Sequence, residues 1–241
     1  MKAIAINASP MMDKGNTAAI LTPFLDGMRE AGAEVEVYYT KKLNITLCQG
    51  EFDCWFKTPG KCFQKDDMEI LLPKLAEADI QVFATPLYAD GVSGPLKNLW
   101  DRTTPLGYPR LELRDGHCCL PQREGNGAGK VVLVSNCGFW EMDNFDPLLV
   151  HMKARCWYTN QEFAGALLRP HGPALKIMAA RGDPVNDVFE AARAAGCQLV
   201  QKGQMSSQTL ATVSRTLMPL EAYVQFLNRG FQQALGKMES T

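Results

Sequence analysis

The alternation of short apolar runs with helical repeats limits the fold of this chain more than any other feature. Residues 2–8 form a short apolar run, and the polar turn after them leads into a segment with Ile20, Phe24 and Met28 at helical spacing. Residues 33–39 then alternate between apolar and polar side chains, which is typical of a strand with one wetter face. The order of these elements predicts a β-α-β unit whose second strand lies at a sheet edge.

The remainder of the chain repeats this alternation. Apolar runs predict strands at 80–84, 131–134 and 163–168, and helical spacing predicts helices at 67–78, 147–158, 187–202 and 220–235. Right-handed crossovers place helices on both faces of a parallel sheet, so the pattern predicts an α/β fold in three layers. In such folds ligands bind beyond the carboxyl ends of the strands, which makes the loops after the strands the candidate sites.

The length of the chain favours one large domain. Its 241 residues, 46% of them hydrophobic, are enough to bury a sizeable core. We predict a single domain over residues 1–241 with a cysteine-bearing insertion at 43–66, a surface excursion at 103–129 and a C-terminal helical extension at 205–241. The excursion is rich in Gly, Pro and charge and has little periodicity, which is typical of a lid or a subunit contact.

Charge and cysteine content exclude several classes of function. Basic and acidic residues nearly cancel, 25 against 26, so the totals lack the basic excess of a nucleic-acid-binding protein. The apolar run at the amino terminus is shorter than a signal peptide requires, and no window approaches 18 uninterrupted apolar residues, so we expect no membrane partner. Eight cysteines without a secretion signal favour reduced thiols or metal ligands, and with them a cytoplasmic location.

The loop after the first strand carries groups that suit a phosphate. It offers hydroxyls, an amide side chain and a run of backbone N–H groups at the start of a helix, and its candidate residues are Ser9, Pro10, Met11, Gly15, Asn16 and Thr17. It has neither the glycine spacing of a dinucleotide fingerprint nor the Lys-Ser/Thr of a Walker loop. Helix capping needs the same residue types, so an ordinary turn between strand and helix is the alternative.

Two later loops complete a pattern that resembles the NADPH-dependent FMN reductase and iron-sulfur flavoprotein family. The second loop follows the strand at 80–84 and the third follows the strand at 131–134; their candidate residues are Pro86, Leu87, Tyr88, Ala89, Asp90 and Gly91, and Asn136, Cys137, Gly138 and Trp140. The three loops match the family's flavin loops in order. The resemblance implies a flavodoxin-like sandwich with a parallel five-stranded sheet of order 2-1-3-4-5, and FMN bound by these residues.

The side chains of the second and third loops suit an isoalloxazine ring. Such a ring needs a flat slot of backbone amides and an apolar or aromatic wall, for which Tyr88 and Trp140 are the candidates. Packing in the core or at an interface would also account for either aromatic. For Lys97 and Arg102, which follow the second loop, we predict a solvated charge or an ion pair with Asp101, and a contact with the surroundings of the flavin is the alternative.

The cysteine-bearing insertion departs from the family pattern. Cys48, Cys54 and Cys62 stand where the iron-sulfur branch has three of its four cluster ligands, and Glu51 occupies the fourth position. A [4Fe–4S] cluster normally takes four thiolates, and a carboxylate is a harder, poorer ligand. We therefore predict three free thiols and no metal, with a zinc site on three sulfurs and one carboxylate as an alternative.

The resemblance implies an enzyme that passes electrons from NAD(P)H through FMN to a small acceptor such as a quinone, a flavin, a metal ion or a nitro or azo compound. The flavin would carry the chemistry, so no catalytic acid or base is predicted. The alternative is a flavodoxin-type electron carrier between redox proteins, although such carriers usually present a strongly acidic face. A flavin-free regulatory domain on the same fold is a third alternative. The resemblance also implies a homodimer or homotetramer.

Overall fold

The computed structural model describes residues 1–123 and 129–238. Its central sheet is parallel and consists of β1 (Lys2–Asn7), β2 (Glu34–Tyr39), β3 (Ile80–Pro86), β6 (Lys130–Asn136) and β7 (Glu162–Arg169). The spatial order is β2-β1-β3-β6-β7. Counted within this sheet alone, that is the predicted order 2-1-3-4-5, so the flavodoxin-like fold and the edge position of the second strand are confirmed.

Helices cover both faces of the sheet. They are α1 (Asn16–Glu30), α2 (Asp53–Phe56), α3 (Met68–Glu77), α4 (Gly94–Asp101), α5 (Asp146–Tyr158), α6 (Gly172–Arg181), α7 (Asn186–Lys202), α8 (Ser207–Ser214) and α9 (Leu220–Met238). Residues of α1, α6, α7 and α8 form the core on one face, and residues of α3, α4 and α5 form the core on the other. The sequence pattern does not predict α2, α4, α6 or α8, and the Gly94-Pro95 pair begins α4.

Helices α1 and α7 pack at backbone contact. A Cβ atom on Gly27 would lie 1.9 Å from the Arg193 carbonyl oxygen, and one on Gly196 would lie 2.0 Å from the Phe24 carbonyl oxygen. The Cys197 thiol donates to the Gly27 carbonyl at 3.1 Å. Two glycines therefore allow an approach that any side chain would block, and this approach fixes α1, whose first turn lies at the candidate site.

A buried ion pair orders the cysteine-bearing insertion. Arg102 is 2% exposed, and its guanidinium donates to Asp66 at 2.6 Å and 3.1 Å, to the Thr46 carbonyl at 2.7 Å and to Cys62 Sγ at 3.4 Å. Burial opposes the charged carboxylate of Asp66, but hydrogen bonds from Arg102 and Thr46 outweigh it and lower the pKa of Asp66 to about 2. The prediction of a solvated or Asp101-paired Arg102 is therefore wrong.

Of the two cations predicted to pair with Asp101, only Lys97 does so in the described structure. Its ammonium group donates to the Asp101 carboxylate at 2.6 Å and 2.9 Å, one helical turn further along α4. With Asp101 paired to Lys97, Arg102 turns inward from the end of the same helix to Asp66.

Two peripheral segments complete the described chain. The excursion at 103–129 contains an antiparallel ribbon of β4 (Glu112–Arg114) and β5 (His117–Cys119), and its residues 124–128 lie outside the described part. The C-terminal extension consists of α8 and α9, and residues 239–241 also lie outside. Among the described helices, none combines the length and apolar character needed to cross a membrane.

Candidate functional site at the carboxyl edge of the sheet

The first loop turns tightly between β1 and α1. The Ser9 N–H donates to Asn7 Oδ1 at 2.9 Å, and the Ser9 hydroxyl accepts the N–H of Met11 at 3.3 Å. Met12 has a φ of +47°, which is uncommon for a residue with a side chain. A Cβ atom on Gly15 would lie only 2.7 Å from Ser9 Oγ and 3.2 Å from the Met11 Cβ, so a side chain at position 15 would displace Ser9 Oγ from its place in the loop.

The amino terminus of α1 is open to a ligand. Its N-cap is Gly15, and no side chain caps the helix. The first N–H groups of a helix have no partner within it and, together with the helix dipole, favour an anion. The Lys41 ammonium donates to the Pro10 carbonyl at 3.0 Å, and the Lys176 ammonium donates to the Lys14 carbonyl at 2.6 Å. The loop therefore combines free backbone donors with two nearby positive charges, which suits a phosphate.

Buried hydrogen bonds join the three loops. The Thr17 hydroxyl donates to Asn136 Oδ1 at 2.5 Å, and the two side chains belong to α1 and to the end of β6. The Leu87 N–H donates to the Asn136 carbonyl at 2.9 Å. The Ser93 hydroxyl donates to the Ala8 carbonyl at 3.0 Å, which joins the segment before α4 to the start of the first loop. The loops after β1, β3 and β6 therefore form one connected edge.

The second loop is a strained two-residue turn. Tyr88 and Gly91 exchange backbone hydrogen bonds of 3.2 Å and 3.1 Å, and the intervening Ala89 and Asp90 have φ values of +45° and +58°. This is the conformation of a type I′ turn, which glycine and asparagine usually fill. The Tyr88 ring at its start is 54% exposed. Backbone strain of this kind clusters at ligand sites.

The third loop turns one aromatic side chain away from the open edge. Cys137 is 2% exposed, its N–H donates to the Arg169 carbonyl at 3.0 Å, and burial raises the pKa of its thiol. The Trp140 indole N–H donates to the Met218 carbonyl at 2.9 Å, and the indole stacks on His171 with ring centroids 6.1 Å apart. Trp140 therefore contacts the C-terminal segment, and its role as a wall for a ring stays a prediction.

The predicted residues divide by exposure along this edge. Those that shape the loops are buried, namely Ser9, Gly15, Thr17, Pro86, Asn136 and Cys137. Those that face solvent are Pro10, Met11, Tyr88, Ala89, Asp90 and Gly138, while Asn16, Leu87, Gly91 and Trp140 are intermediate. Four further residues come from other elements and reach the loops only through the tertiary fold, so no local sequence pattern predicts them: Lys41, Lys176, His171 and Tyr223.

His171 is a buried, neutral histidine behind the third loop. It has a φ of +41° and is 1% exposed. Burial, reinforced by the nearby charge of Arg169, lowers the pKa of His171 to about 4. Its backbone N–H donates to the Phe139 carbonyl at 2.6 Å, and its ring Nε2 accepts the Leu217 N–H at 3.0 Å. His171 therefore links the third loop, through its backbone, to the C-terminal segment, through its ring.

The three cysteines of segment 43–66 lie close to one another. Together with Glu51 they line a cavity of about 20 Å³. Burial and then the charges of Cys62, Glu51 and Cys48 raise the pKa of the Cys54 thiol to about 11. In the described residues, no three His, Cys, Asp or Glu side chains are placed to hold a metal ion. The residues present do not fit a cluster that takes four thiolates.

Comparisons with known proteins agree with this geometry. A family model described as NADPH-dependent FMN reductase matches residues 1–135. An iron-sulfur flavoprotein of Archaeoglobus fulgidus is 40% identical over 115 residues, which are 48% of this chain and 55% of that protein. An iron-sulfur flavoprotein of Methanocaldococcus jannaschii is 35% identical over 151 residues, 61% of this chain and 75% of that protein. The chain spans about half the length of the first curated relatives it matches, at 55%, 53% and 56%.

Solved structures show the same fold at low sequence identity. An NAD(P)H:quinone oxidoreductase from Methanothermobacter marburgensis superposes with a TM-score of 0.59 at 20% identity, covering 83% of this chain and 96% of that chain. An FMN-dependent NADH-azoreductase from Bacillus anthracis, in complex with FMN, gives a TM-score of 0.59 at 14% identity and covers 83% and 99%.

Fold and site together define a flavodoxin-like α/β protein with an uncapped helix terminus at the carboxyl edge of its sheet. The matching family model covers more than half of the sequence. The chain belongs to the NADPH-dependent FMN reductase family.

Proposed function

We propose that this chain is an FMN-dependent oxidoreductase that passes electrons from NAD(P)H to a small acceptor. The observation that carries the proposal is the convergence of three loops at one sheet edge, tied by the hydrogen bond of 2.5 Å between Thr17 and Asn136. In sheets of this order, ligands bind at the switch point between β1 and β3. The first and second loops flank that point here.

The phosphate of FMN fits the first loop. The uncapped terminus of α1 supplies backbone donors, and the absence of a side chain at Gly15 leaves the space that the tight turn needs. Lys41 and Lys176 add positive charge beside the loop. Among the described residues, neither lysine is in a salt bridge, and each ammonium group donates to a neutral backbone carbonyl, so both charges remain available to an anion.

The ring of FMN fits the second and third loops. Tyr88, 54% exposed, offers an aromatic surface beside the strained turn at 88–91. Gly138 is exposed and offers a backbone N–H on the opposite side of the edge. When bound, FMN supplies a hydride acceptor and electron donor, and the chain's own residues bind and orient it. No acid or base from the chain is required.

A flat, conjugated acceptor is the substrate class we propose. Tyr88 and Phe139 are 54% and 66% exposed at the open edge and present apolar surface on which a quinone or an azo or nitro aromatic could stack. Proteins of the same fold include those named as a quinone oxidoreductase and an azoreductase.

We further propose that the cysteine-bearing insertion works without a cluster. The Arg102–Asp66 ion pair already orders the segment, and Glu51 replaces the fourth thiolate. Iron and zinc assays on anaerobically purified protein test this. We expect no stoichiometric metal, and about four irons per chain would contradict the proposal, because that is the content of one [4Fe–4S] cluster.

A second copy of the chain is the partner we propose for the exposed apolar side chains of the insertion and the ribbon. Leu47, Phe56 and Leu113 are 73%, 72% and 79% exposed. Large exposed apolar side chains are typical of protein interfaces. Light scattering after size-exclusion chromatography should give the mass of a dimer or tetramer, and a monomer at micromolar concentration would contradict this.

Steady-state kinetics test the proposed activity. FMN-loaded protein should oxidise NADPH or NADH in the presence of a benzoquinone, at a rate well above that of free FMN at equal concentration. The matched control is a protein with Gly230→Ala, a substitution that meets no atom within 4 Å. Loss of activity in Gly15→Ala but not in Gly230→Ala would tie the rate to the first loop. If the protein binds FMN but nicotinamide does not reduce the bound FMN, the protein is an electron carrier and not this enzyme.

A further inference from the structure

The C-terminal helix reaches into the third loop through one hydroxyl. Tyr223 in α9 is 2% exposed, and its hydroxyl donates to the Gly138 carbonyl at 2.6 Å. Burial raises the pKa of the Tyr223 hydroxyl to about 12, so the hydroxyl keeps its proton and donates throughout the physiological pH range. The family match ends at residue 135, so this contact joins a loop and a helix that both lie beyond it.

The segment that carries Tyr223 is held firmly against the sheet. Arg169, at the end of β7, is fully buried and donates to the carbonyls of Val213, Ser214 and Arg215 at 2.6, 3.3 and 2.6 Å. These carbonyls end α8, where the helix dipole favours a cation. Burial lowers the pKa of Arg169 to about 10, which still leaves it charged at neutral pH. The three hydrogen bonds from Arg169 therefore fix the end of α8, from which the chain continues into α9.

Tyr223 completes the fixation of Gly138. The peptide before Gly138 is held because the Cys137 carbonyl accepts the Gly172 N–H at 2.9 Å. The peptide after it is held at both polar groups, by Tyr223 on the carbonyl and by Cys137 Sγ, which accepts the Phe139 N–H at 3.2 Å. Gly138 itself is exposed, and in the described part of the chain its N–H has no acceptor. A free donor is thus held in one orientation at the open edge.

We propose that Tyr223 is a positioning residue for the flavin ring: it holds the third loop so that the Gly138 N–H is presented to the cofactor. This inference rests on the proposed function and adds the C-terminal helix to the site. When the folded protein already holds a donor in the orientation that a ligand needs, binding does not lose the entropy of ordering that donor. Loss of the hydroxyl should therefore weaken ring binding more than it weakens the fold, since water can reach the exposed Gly138.

The test substitutes Tyr223→Phe in the full chain, which keeps the ring and removes the hydroxyl. FMN affinity, from quenching of flavin fluorescence, should fall about tenfold, the range of one net hydrogen bond. The midpoint potential of the bound flavin should also shift, because a ring contact acts unequally on the oxidised and reduced forms. The matched control is Tyr38→Phe, which removes a hydroxyl that donates to Glu36 at 2.7 Å on the edge strand. It should change neither quantity.

A second variant covers a failure of Tyr223→Phe to fold. Trp140→Phe removes the bond of 2.9 Å to Met218 and loosens the same loop from the same segment, so it should lower FMN affinity in the same direction. If wild-type protein binds FMN and each variant that folds matches it in affinity and potential, the role of Tyr223 is overturned while the proposed function stands. If wild-type protein takes up no FMN at all, both proposals fall.

Discussion

Thr17 and Asn136 are hydrogen-bonded at 2.5 Å although they lie 119 residues apart, and their side chains are 1% and 8% exposed. The bond joins the first turn of α1 to the end of β6. It therefore connects the loop proposed to hold a phosphate with the loop proposed to contact a ring, and a disturbance at either residue should reach both ends of the site.

Removal of the Thr17 hydroxyl should damage both stability and FMN binding. Thr17→Val keeps the shape of the side chain but leaves Asn136 Oδ1 buried without its donor, which costs about 1–3 kcal/mol. We expect a loss of that size in the free energy of unfolding and about tenfold weaker FMN binding, from urea denaturation and fluorescence titration. Thr212→Val, which removes a bond of 3.0 Å within α8, is the control. Equal effects of the two variants on FMN binding would argue against the coupling.

A methyl group at position 15 should weaken FMN binding. Gly15→Ala places a Cβ atom 2.7 Å from Ser9 Oγ, so the loop must shift and the donors at the start of α1 move with it. We expect at least a tenfold loss of affinity, since several backbone hydrogen bonds to one phosphate depend on this geometry. Calorimetric titration of FMN measures it, and Gly230→Ala is the control. Wild-type affinity in Gly15→Ala would show that the phosphate lies elsewhere.

The two lysines beside the first loop should distinguish FMN from riboflavin. Lys41→Gln and Lys176→Gln remove charges that are partly screened by water, so each should weaken FMN binding only about two- to fivefold, and less at high salt. Riboflavin, which has no phosphate, should bind both variants as it binds wild type. Lys153→Gln, on the exposed side of α5, controls for net charge. Equal losses for FMN and riboflavin would remove the lysines from the phosphate site.

Acid should release the ion pair that orders the cysteine-bearing insertion. The folded pKa of Asp66, about 2, lies below its ordinary value of 3.8, so the pair stabilises the fold fully above about pH 4 and loses its effect as the pH falls toward 2. The contribution is about 2 kcal/mol. Unfolding free energy measured from pH 5 to pH 2.5 should fall less steeply in Asp66→Asn than in wild type. Asp115→Asn, in the exposed turn of the ribbon, should keep the wild-type slope.

Much of the fold follows from local patterns. The alternation at 33–39 predicted an edge strand, and β2 pairs only with β1 in the described sheet. Apolar runs placed the other four strands, because strands buried on both faces need continuous apolar sequence. The three loops were predictable for the same reason: each begins where an apolar run ends.

What the sequence does not predict depends on contacts between distant elements. Asp101 is adjacent to Arg102 in sequence, yet the guanidinium turns inward to Asp66, 36 residues away, because Lys97 holds Asp101 from one helical turn before it. Trp140 has the character of a ring wall, but its indole N–H is bound to Met218, 78 residues away. Partners at such separations are chosen by the packed structure, and single-sequence patterns carry no information on them.

The most direct test of the central claim is an absorption spectrum of the purified protein, with the released flavin identified and NAD(P)H then added without oxygen. We predict bands near ~375 and ~450 nm, FMN as the released flavin and direct bleaching by nicotinamide, as expected when the cofactor supplies the redox chemistry. A colourless protein that takes up no added FMN would contradict the account.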